Sequence, residues 1–233
     1  MGRSFSRIDK GKVFWQSVIR EIDKLGMGSL TIVTIISFFI GAVIAIQLAV
    51  QITSPLIPKF TIGYGTRDTM ILEFSSTIIG LILAGKVGSN VASEIGSMRV
   101  SEQIDALEIM GINSANFLVL PKIVATVIIN PLLTIISIII GIFGGYTGCV
   151  VSGMVDSETF IMGCQYYFVP YYVVYSLIKS VVFAFIITSI ACYRGYYVEG
   201  GSEEVGKAST KAVVNASISI LLWNLILTAL LLL

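Results

Sequence analysis

The chain has 233 residues, of which 55% are hydrophobic and only 12% are charged, and its formal net charge is +1. This balance is typical of a protein that resides in a lipid bilayer, and the small net charge gives no indication of nucleic-acid binding. The three cysteines lack the paired spacing of a zinc site, and the absence of histidine removes the commonest general base and metal ligand. We therefore expect no disulfide framework, no metal site and no catalytic site.

The segment over residues 12–26 predicts an amphipathic helix. Its apolar residues share one face of a helical wheel and its polar residues share the other: Phe14, Trp15, Val18, Ile19, Ile22 and Leu25 against Lys12, Gln16, Arg20, Asp23 and Lys24. The charged residues exclude a signal peptide, which needs an uninterrupted apolar core. A basic amphipathic helix is typical of a segment that lies on the cytoplasmic leaflet; packing on a partner protein is the alternative.

Five later stretches are long and apolar enough to cross about 30 Å of hydrocarbon as helices. They cover residues 29–52, 69–92, 123–152, 169–192 and 212–233. Pro121 and Pro131 lie near the start of the third stretch, where a membrane helix tolerates proline. The predicted fold is therefore an all-α integral membrane protein, a single domain over residues 1–233 with one interfacial helix and five transmembrane helices.

Two glutamines give the first stretch a polar strip. Gln47 and Gln51 are one helical turn apart and are flanked by Ile44 and Leu48. A mildly polar strip in an apolar surface suits the wall of a lipid pocket, whereas hydrogen bonding between helices is the alternative. All four residues are therefore candidates for a lipid pathway.

The second stretch carries one carboxylate, Glu73, which is followed by Phe74 near the outer end. An ionised side chain in hydrocarbon costs about 2.5 to 3.5 kcal/mol on insertion scales. We therefore interpret Glu73 as functional, in contact with a lipid headgroup or a cation.

Small residues recur at every fourth position further along the second stretch: Gly80, Ala84, Gly88 and Ala92. This spacing lets helix backbones approach closely and predicts a packing face. Gly141 and Gly145, together with Gly144 and Gly148, predict a similar packing face in the third stretch.

The segment EIGSMRVSEQIDALEIMG, residues 94–111, places acidic residues between apolar stretches. With Ser101 as its N-cap, the segment predicts a short helix that ends at Gly111. One face of this helix is acidic and the other is apolar: Glu102, Asp105 and Glu108 against Val100, Ile104, Ala106, Leu107 and Met110. A helix resting on anionic lipid favours Lys and Arg, so the acidic face indicates a protein partner with a complementary groove. A solvated loop helix is the alternative.

Lys179 lies about ten residues into the fourth stretch, too deep to reach the outer surface easily by extending its side chain. An ammonium group at this depth needs a partner. Glu73 is the candidate partner, which would make an intramembrane ion pair.

The Lys and Arg residues predict the orientation, because cytoplasmic segments carry an excess of both. With the N-terminus in the cytoplasm, the cytoplasmic segments hold most of them: Arg3, Arg7, Lys10, Lys12, Arg20, Lys24, Lys86, Arg99, Lys122, Arg194, Lys207 and Lys211. The outer loops hold Lys59 and Arg67. We therefore expect a cytoplasmic N-terminus, an outer C-terminus, an outer loop over residues 53–68, and the acidic segment in the cytoplasm.

A run from Leu83 to Ala125 reads LAGKVGSNVASEIGSMRVSEQIDALEIMGINSANFLVLPKIVA. Three further runs occur in consistent order: FIGAVIAIQ from Phe39, KSVVFAFIIT from Lys179 and GYYVEGGSEEVGKASTKAVV from Gly195. Together these runs resemble the MlaE-type permeases, the membrane subunits of ABC transporters that move phospholipids between the two membranes of bacteria.

The resemblance implies a permease homodimer, a cytoplasmic ABC ATPase, an outer-side MCE-domain protein that carries lipid, and a STAS-domain accessory. It makes the helix over residues 99–111 a coupling helix, with seven residues expected at the ATPase: Glu94, Arg99, Glu102, Gln103, Asp105, Leu107 and Glu108. It also implies that Glu73 borders a lipid cavity. No GxxxxGK[ST] phosphate loop occurs in the chain, so ATP is expected on the partner subunit and no cofactor is expected here.

Two positions depart from the family pattern. The family often has Arg-Glu-Leu-Gly-Pro early in the second span, whereas residues 72–76 read LEFSS, which keeps the acid without the Arg and the Pro. Asn224 stands where a common family Asp is found.

The expected location is a bacterial inner membrane, with a plastid envelope as the alternative. Two other functions remain open from the residues. Glu73 and Lys179 are also compatible with an ion-coupled carrier or channel. A lipid-modifying membrane enzyme is disfavoured because histidine is absent and the carboxylates are scattered.

Overall fold

The computed structural model describes residues 11–52 and 56–232, with side chains from residue 14 onward, and these residues form helices without any strand. The α-helices are α1 (Gly11–Ile22), α2 (Gly28–Gln51), α3 (Phe60–Thr69), α4 (Ile79–Leu83), α5 (Ser89–Val100), α6 (Gln103–Ile109), α7 (Ser114–Val151), α8 (Ser157–Gln165), α9 (Pro170–Tyr196) and α10 (Ser202–Leu232). Segments of π-helix at Asp23–Met27, Met70–Ile78 and Ala84–Gly88 join α1 to α2, α3 to α4, and α4 to α5.

Five helical runs of the described chain are long and apolar enough to cross a membrane. They are Phe14–Gln51, Phe60–Val100, Ser114–Val151, Pro170–Tyr196 and Ser202–Leu232. The prediction of an all-α integral membrane protein is therefore confirmed.

The helices extend beyond the apolar stretches from which they were predicted. The interfacial segment continues into the first span through the π-helical turn at Asp23–Met27, and the second span begins at Phe60. Most of the predicted outer loop, residues 53–68, is therefore helical. The charged residues there interrupt the apolar run that was used to predict the span, but they do not interrupt the helix. The basic residues at positions 3, 7 and 10, the side chain of residue 12 and loop residues 53–55 lie outside the described parts.

The chain divides into two compact units. The first unit contains the described residues up to Ser29, together with Gly80–Asn130 and the chain from Val181 onward. The second unit contains Leu30–Ile79 and Pro131–Ser180.

In the first unit, the small residues of the second span pack against other helices. Ala84 and Ala92 are fully buried. A Cβ atom added to Gly80 would lie 3.1 Å from the ring of Phe183, and one added to Gly88 would lie 3.6 Å from Ile187. The four-residue spacing therefore lets the second span approach α9 closely.

In the second unit, glycines bring α2 and α7 into backbone contact. A Cβ atom added to Gly41 would lie 1.8 Å from the carbonyl oxygen of Gly141, and one added to Gly144 would lie 2.1 Å from that of Phe38. The Ser37 hydroxyl donates a hydrogen bond of 2.8 Å to the Ser137 hydroxyl across the same contact. The glycine face predicted for the third span is thus a packing face.

Replacing Gly41 with alanine is expected to destabilise the protein by about 1 to 3 kcal/mol, because a methyl group would clash with backbone that cannot move aside. Gly85→Ala is the matched control, since a Cβ at Gly85 would meet nothing within 4 Å. Thermal unfolding of both variants in detergent tests this prediction. Equal midpoints for the two variants would contradict the backbone contact.

The short helix α8 was not predicted from the sequence. It packs against α3, where a Cβ added to Gly63 would lie 2.3 Å from the carbonyl oxygen of Phe160. Phe160 is also part of a buried apolar cluster with Ala45, Ile62, Cys149 and Val155. At nine residues, α8 is too short to give a spanning signal.

Arg67, predicted in an outer loop, is instead buried within α3. Its Nη1 atom donates to the carbonyl oxygens of Cys164 and Tyr166 at 2.8 Å each, and its guanidinium pairs with Asp68 at 2.7 Å. The paired and hydrogen-bonded guanidinium therefore fixes the end of α8 against α3.

Candidate functional site

Lys179, from the fourth span, has a fully buried side chain in the second unit. Its Nζ atom lies 3.0 Å from Oε1 of Glu73 and donates to the Tyr175 hydroxyl at 3.1 Å and to the Leu72 carbonyl at 3.3 Å. The Tyr175 ring centroid lies 4.8 Å from the same nitrogen. The structure therefore brings together the two charged residues that the sequence marked as candidate partners.

Glu73 differs from Lys179 in exposure, since 39% of its side chain is accessible. The Thr77 hydroxyl donates to its second oxygen, Oε2, at 3.2 Å, and Phe74 beside it is half-buried. Glu73 belongs to the π-helical segment Met70–Ile78; such segments occur often at functional sites. The Glu73 carboxylate thus binds the buried ammonium group of Lys179. Its exposed side can accept a hydrogen bond or bind a cationic group from outside the chain.

The candidate residues of the first span divide between two surfaces. Ile44 is buried and Leu48 packs against the apolar cluster, whereas Gln47 and Gln51 are exposed. Neither amide forms a hydrogen bond with another described residue. Hydrogen bonds between described residues therefore do not account for the two glutamines.

The predicted coupling helix corresponds to α6, which begins at Gln103 after a sharp turn from α5. The prediction of Ser101 as its N-cap was wrong, because the Ser101 hydroxyl donates to the Ser97 carbonyl of α5 at 2.7 Å. Glu102 occupies the position before the helix, with left-handed backbone at φ 58°.

The end of α6 follows the prediction. Gly111 has φ 77°, and the amides of Gly111 and Ile112 donate to the carbonyls of Glu108 and Leu107. This is a Schellman motif, in which glycine adopts the left-handed conformation at low cost.

Two of the three acidic residues of this segment make contacts within the chain. Asp105 pairs with Arg99 of α5 at 2.5 Å. Glu108 accepts hydrogen bonds from the Ser114 hydroxyl at 2.9 Å and from the Tyr196 hydroxyl at 3.0 Å. These carboxylates attach α6 to the ends of α5, α7 and α9, while Glu108 stays exposed and 48% of the Asp105 side chain stays accessible.

The surface that α6 leaves exposed includes two large apolar side chains. Ile109 is 87% exposed and Met110 is 65% exposed, and Glu102, Gln103 and Ala106 are exposed beside them. On the inner side, Ile104 is fully buried and Leu107 is half-buried. We call the residues Glu102, Gln103, Ala106, Ile109 and Met110 the α6 surface.

Glu94 was predicted to contact a partner, but the structure places its carboxylate in a network within the first unit. It accepts bonds of 2.8 Å from Lys24 and from Lys122, and Lys122 also pairs with Glu21 at 2.7 Å. The network joins α1, α5 and α7 around the buried Lys122. The sequence analysis predicted only that Lys122 is a cytoplasmic cation. Its position directly after an apolar run could have indicated that its side chain is buried.

The sequence model of the family described as Permease MlaE matches residues 18–230. A probable ABC transporter permease protein of Rickettsia bellii is 36% identical over 97% of this chain and 87% of its own length. The intermembrane phospholipid transport system permease protein MlaE of Haemophilus influenzae is 33% identical over 91% of this chain and 81% of its own. The chloroplastic protein TRIGALACTOSYLDIACYLGLYCEROL 1 of Arabidopsis thaliana is 30% identical over 98% of this chain and 65% of its own.

Proposed function

The chain belongs to the MlaE permease family, and we propose that, as an ABC transporter permease, it moves phospholipids between the inner and outer membranes of a bacterium and maintains outer-membrane lipid asymmetry. It resides in the inner membrane with its N-terminus in the cytoplasm and its C-terminus in the periplasm. A separate ATPase subunit supplies the energy.

The contact between Glu73 and Lys179 is the observation that carries the phospholipid proposal. Lys179 holds the carboxylate at 3.0 Å, and 39% of the Glu73 side chain stays accessible within an apolar helix. A partly exposed carboxylate in an apolar wall can accept hydrogen bonds from a headgroup while the acyl chains contact the surrounding hydrocarbon side chains. The exposed amides of Gln47 and Gln51 add hydrogen-bonding groups to an otherwise apolar span.

The ATPase binds the α6 surface. Ile109 and Met110 supply an apolar centre and Glu102 supplies a charge beside it, a composition suited to a groove that receives a helix. The ion pair of Asp105 and the hydrogen bonds of Glu108 hold α6 against α5, α7 and α9 of the first unit. A displacement of α6 by the ATPase therefore displaces the ends of these three helices.

The remaining partners follow from the family. Two copies of the chain form the permease, an MCE-domain protein binds the periplasmic side and carries lipid, and a STAS-domain accessory joins the cytoplasmic assembly. Exposed amides in a membrane span favour contact with a second chain or with lipid headgroups, which agrees with a dimer around a lipid path.

Purification of the tagged chain from its native membrane, with identification of co-purifying proteins and mass spectrometry of bound lipid, tests this function. We expect an ABC ATPase, an MCE-domain protein and stoichiometric phospholipid, with less lipid retained by a Glu73→Gln variant. Transport of an ion or solute without any ATPase would instead establish the ion-coupled carrier that the Glu73–Lys179 pair also permits.

A further inference from the structure

A cleft of about 420 Å³ lies between α9 and α10, entirely within the first unit. Its lining combines apolar and polar side chains: Ser189, Ile190, Tyr193, Arg194, Asn215, Ile218 and Ser219. None of these residues is a lipid-pathway candidate, and none is part of the α6 surface. The volume falls within the range of small-molecule binding sites.

Ser189 lacks a hydrogen-bond partner in this cleft. The residue is only 6% exposed, and its Oγ atom has no hydrogen-bond partner among the described residues. A buried hydroxyl without a partner costs about 1 to 3 kcal/mol, so a molecule that occupies the cleft and bonds to Ser189 would recover this cost.

Arg194 places a positive charge at the same cleft without a carboxylate beside it. With the Asn215 amide turned so that its oxygen faces the guanidinium, this oxygen accepts from Nε at 3.1 Å and from Nη2 at 2.6 Å. No ion pair joins Arg194 to any carboxylate of the described residues. The remaining N–H groups of the guanidinium suit a phosphate, which it can bind through two parallel hydrogen bonds.

A second depression of about 310 Å³ shares Tyr193 and Arg194 with the cleft. It adds two lysines, Lys207 and Lys211, and two carboxylates, Glu199 and Glu204, to the lining. Lys207 is already paired with Glu203 and Glu204, whereas Lys211 makes no ion pair with the described residues. The opening of the cleft is therefore charged, and its interior is mainly apolar.

We expect the opening of the cleft to lie at the depth of the phospholipid headgroups. Arg194 is in the last turn of α9, and Lys207 and Lys211 are in the first turns of α10, so the charges are at the ends of two spanning helices. Tyr193 and Tyr197 are 57% and 68% exposed, and tyrosine is enriched at the membrane interface. Basic pockets between membrane helices on the cytoplasmic side are known to bind anionic lipid headgroups.

We infer that the α9–α10 cleft binds an anionic phospholipid, with the phosphate on Arg194 and Lys211, the glycerol or ester oxygens on Ser189 and Ser219, and an acyl chain along Ile190 and Ile218. This site is separate from the Glu73 pathway. It does not depend on which substrate is transported, because phospholipid surrounds any membrane protein.

Native mass spectrometry of the delipidated full-length chain, titrated with phosphatidylglycerol or with zwitterionic phosphatidylcholine, tests the inference. We expect phosphatidylglycerol to bind more tightly, and Arg194→Gln to weaken it about tenfold, the effect of losing a charge-assisted hydrogen bond. Lys211→Gln should weaken it less, by about threefold, because its side chain is more solvated. Lys59→Gln removes an exposed cation elsewhere and should leave the affinity unchanged.

A second readout locates the lipid if Arg194→Gln fails to fold. In a Ser219→Cys chain, phosphatidylglycerol should slow maleimide labelling of the new thiol at least threefold, and phosphatidylcholine should not. Equal affinity for the two lipids, an Arg194→Gln affinity equal to that of the native chain, or labelling that neither lipid slows would overturn the inference. Arg194-dependent binding without phospholipid transport would refute the proposed function alone, and transport without lipid preference at the cleft would refute this inference alone.

Discussion

Glu73→Gln is expected to destabilise the protein by roughly 3 kcal/mol and to reduce the phospholipid that it retains. Removing one partner of a buried ion pair costs about 3 to 5 kcal/mol, and the partial exposure of Glu73 places this variant at the low end. Lys179 would then contact only neutral oxygens, those of Tyr175, of Leu72 and of the new amide at position 73. A charged ammonium in the interior of a span is poorly stabilised by neutral oxygens alone.

A double variant distinguishes the contribution of the ion pair to stability from the contributions of Glu73 and Lys179 individually. In Glu73→Gln with Lys179→Met, no charge is left without its partner, so the midpoint of thermal unfolding in detergent should return toward that of the native chain. Glu203→Gln is the matched control, since it removes the carboxylate of an exposed pair with Lys207 and should change stability by less than about 0.5 kcal/mol. A double variant as unstable as the sum of the two single variants would show that the ion pair contributes nothing.

Glu102→Arg combined with Ile109→Glu is expected to reduce the ATPase that co-purifies with the chain at least tenfold. The first change reverses the charge at position 102, and the second places a carboxylate at the apolar centre of the α6 surface, where Ile109 is 87% exposed. Hot-spot residues, which cluster near the centre of an interface, cost about 2 kcal/mol or more each when they are lost, and this corresponds to more than a tenfold change in affinity.

The control for this prediction is on the same helix. Asp105→Asn also removes a carboxylate, but Asp105 pairs with Arg99 of α5 and is not part of the α6 surface, and an asparagine can still accept a hydrogen bond from Arg99. The ATPase-to-permease ratio in the purified complex is the measurement. Normal ATPase recovery with the surface variant, or equal loss with both variants, would contradict docking on the α6 surface.

Several features of the fold were predictable because they depend on local sequence. The apolar stretches are long enough to require spanning helices, and a glycine at the end of a short amphipathic segment is enough to predict the Schellman ending at Gly111. The glycines of the third span predicted a packing face, since small residues at every fourth position lie on one side of a helix.

Other features were not predictable from local patterns. The helical wheel grouped Glu102, Asp105 and Glu108 on one face, but it could not show that Arg99, Ser114 and Tyr196 would contact the last two. Arg67 looked like a loop residue, because nothing nearby in the sequence indicates that the carbonyls of Cys164 and Tyr166 would surround it.

The sequence by itself determined the fold class, the approximate spans and the position of the segment that becomes α6, because hydrophobicity and helical periodicity act over neighbouring residues. Only the tertiary structure decided which charges neutralise one another and which remain exposed. Lys122 and Glu21 are separated by 101 positions, and Lys179 and Glu73 by 106. Such pairs form when packing brings distant helices together, since the cost of burying a charge is offset only by a partner at contact distance.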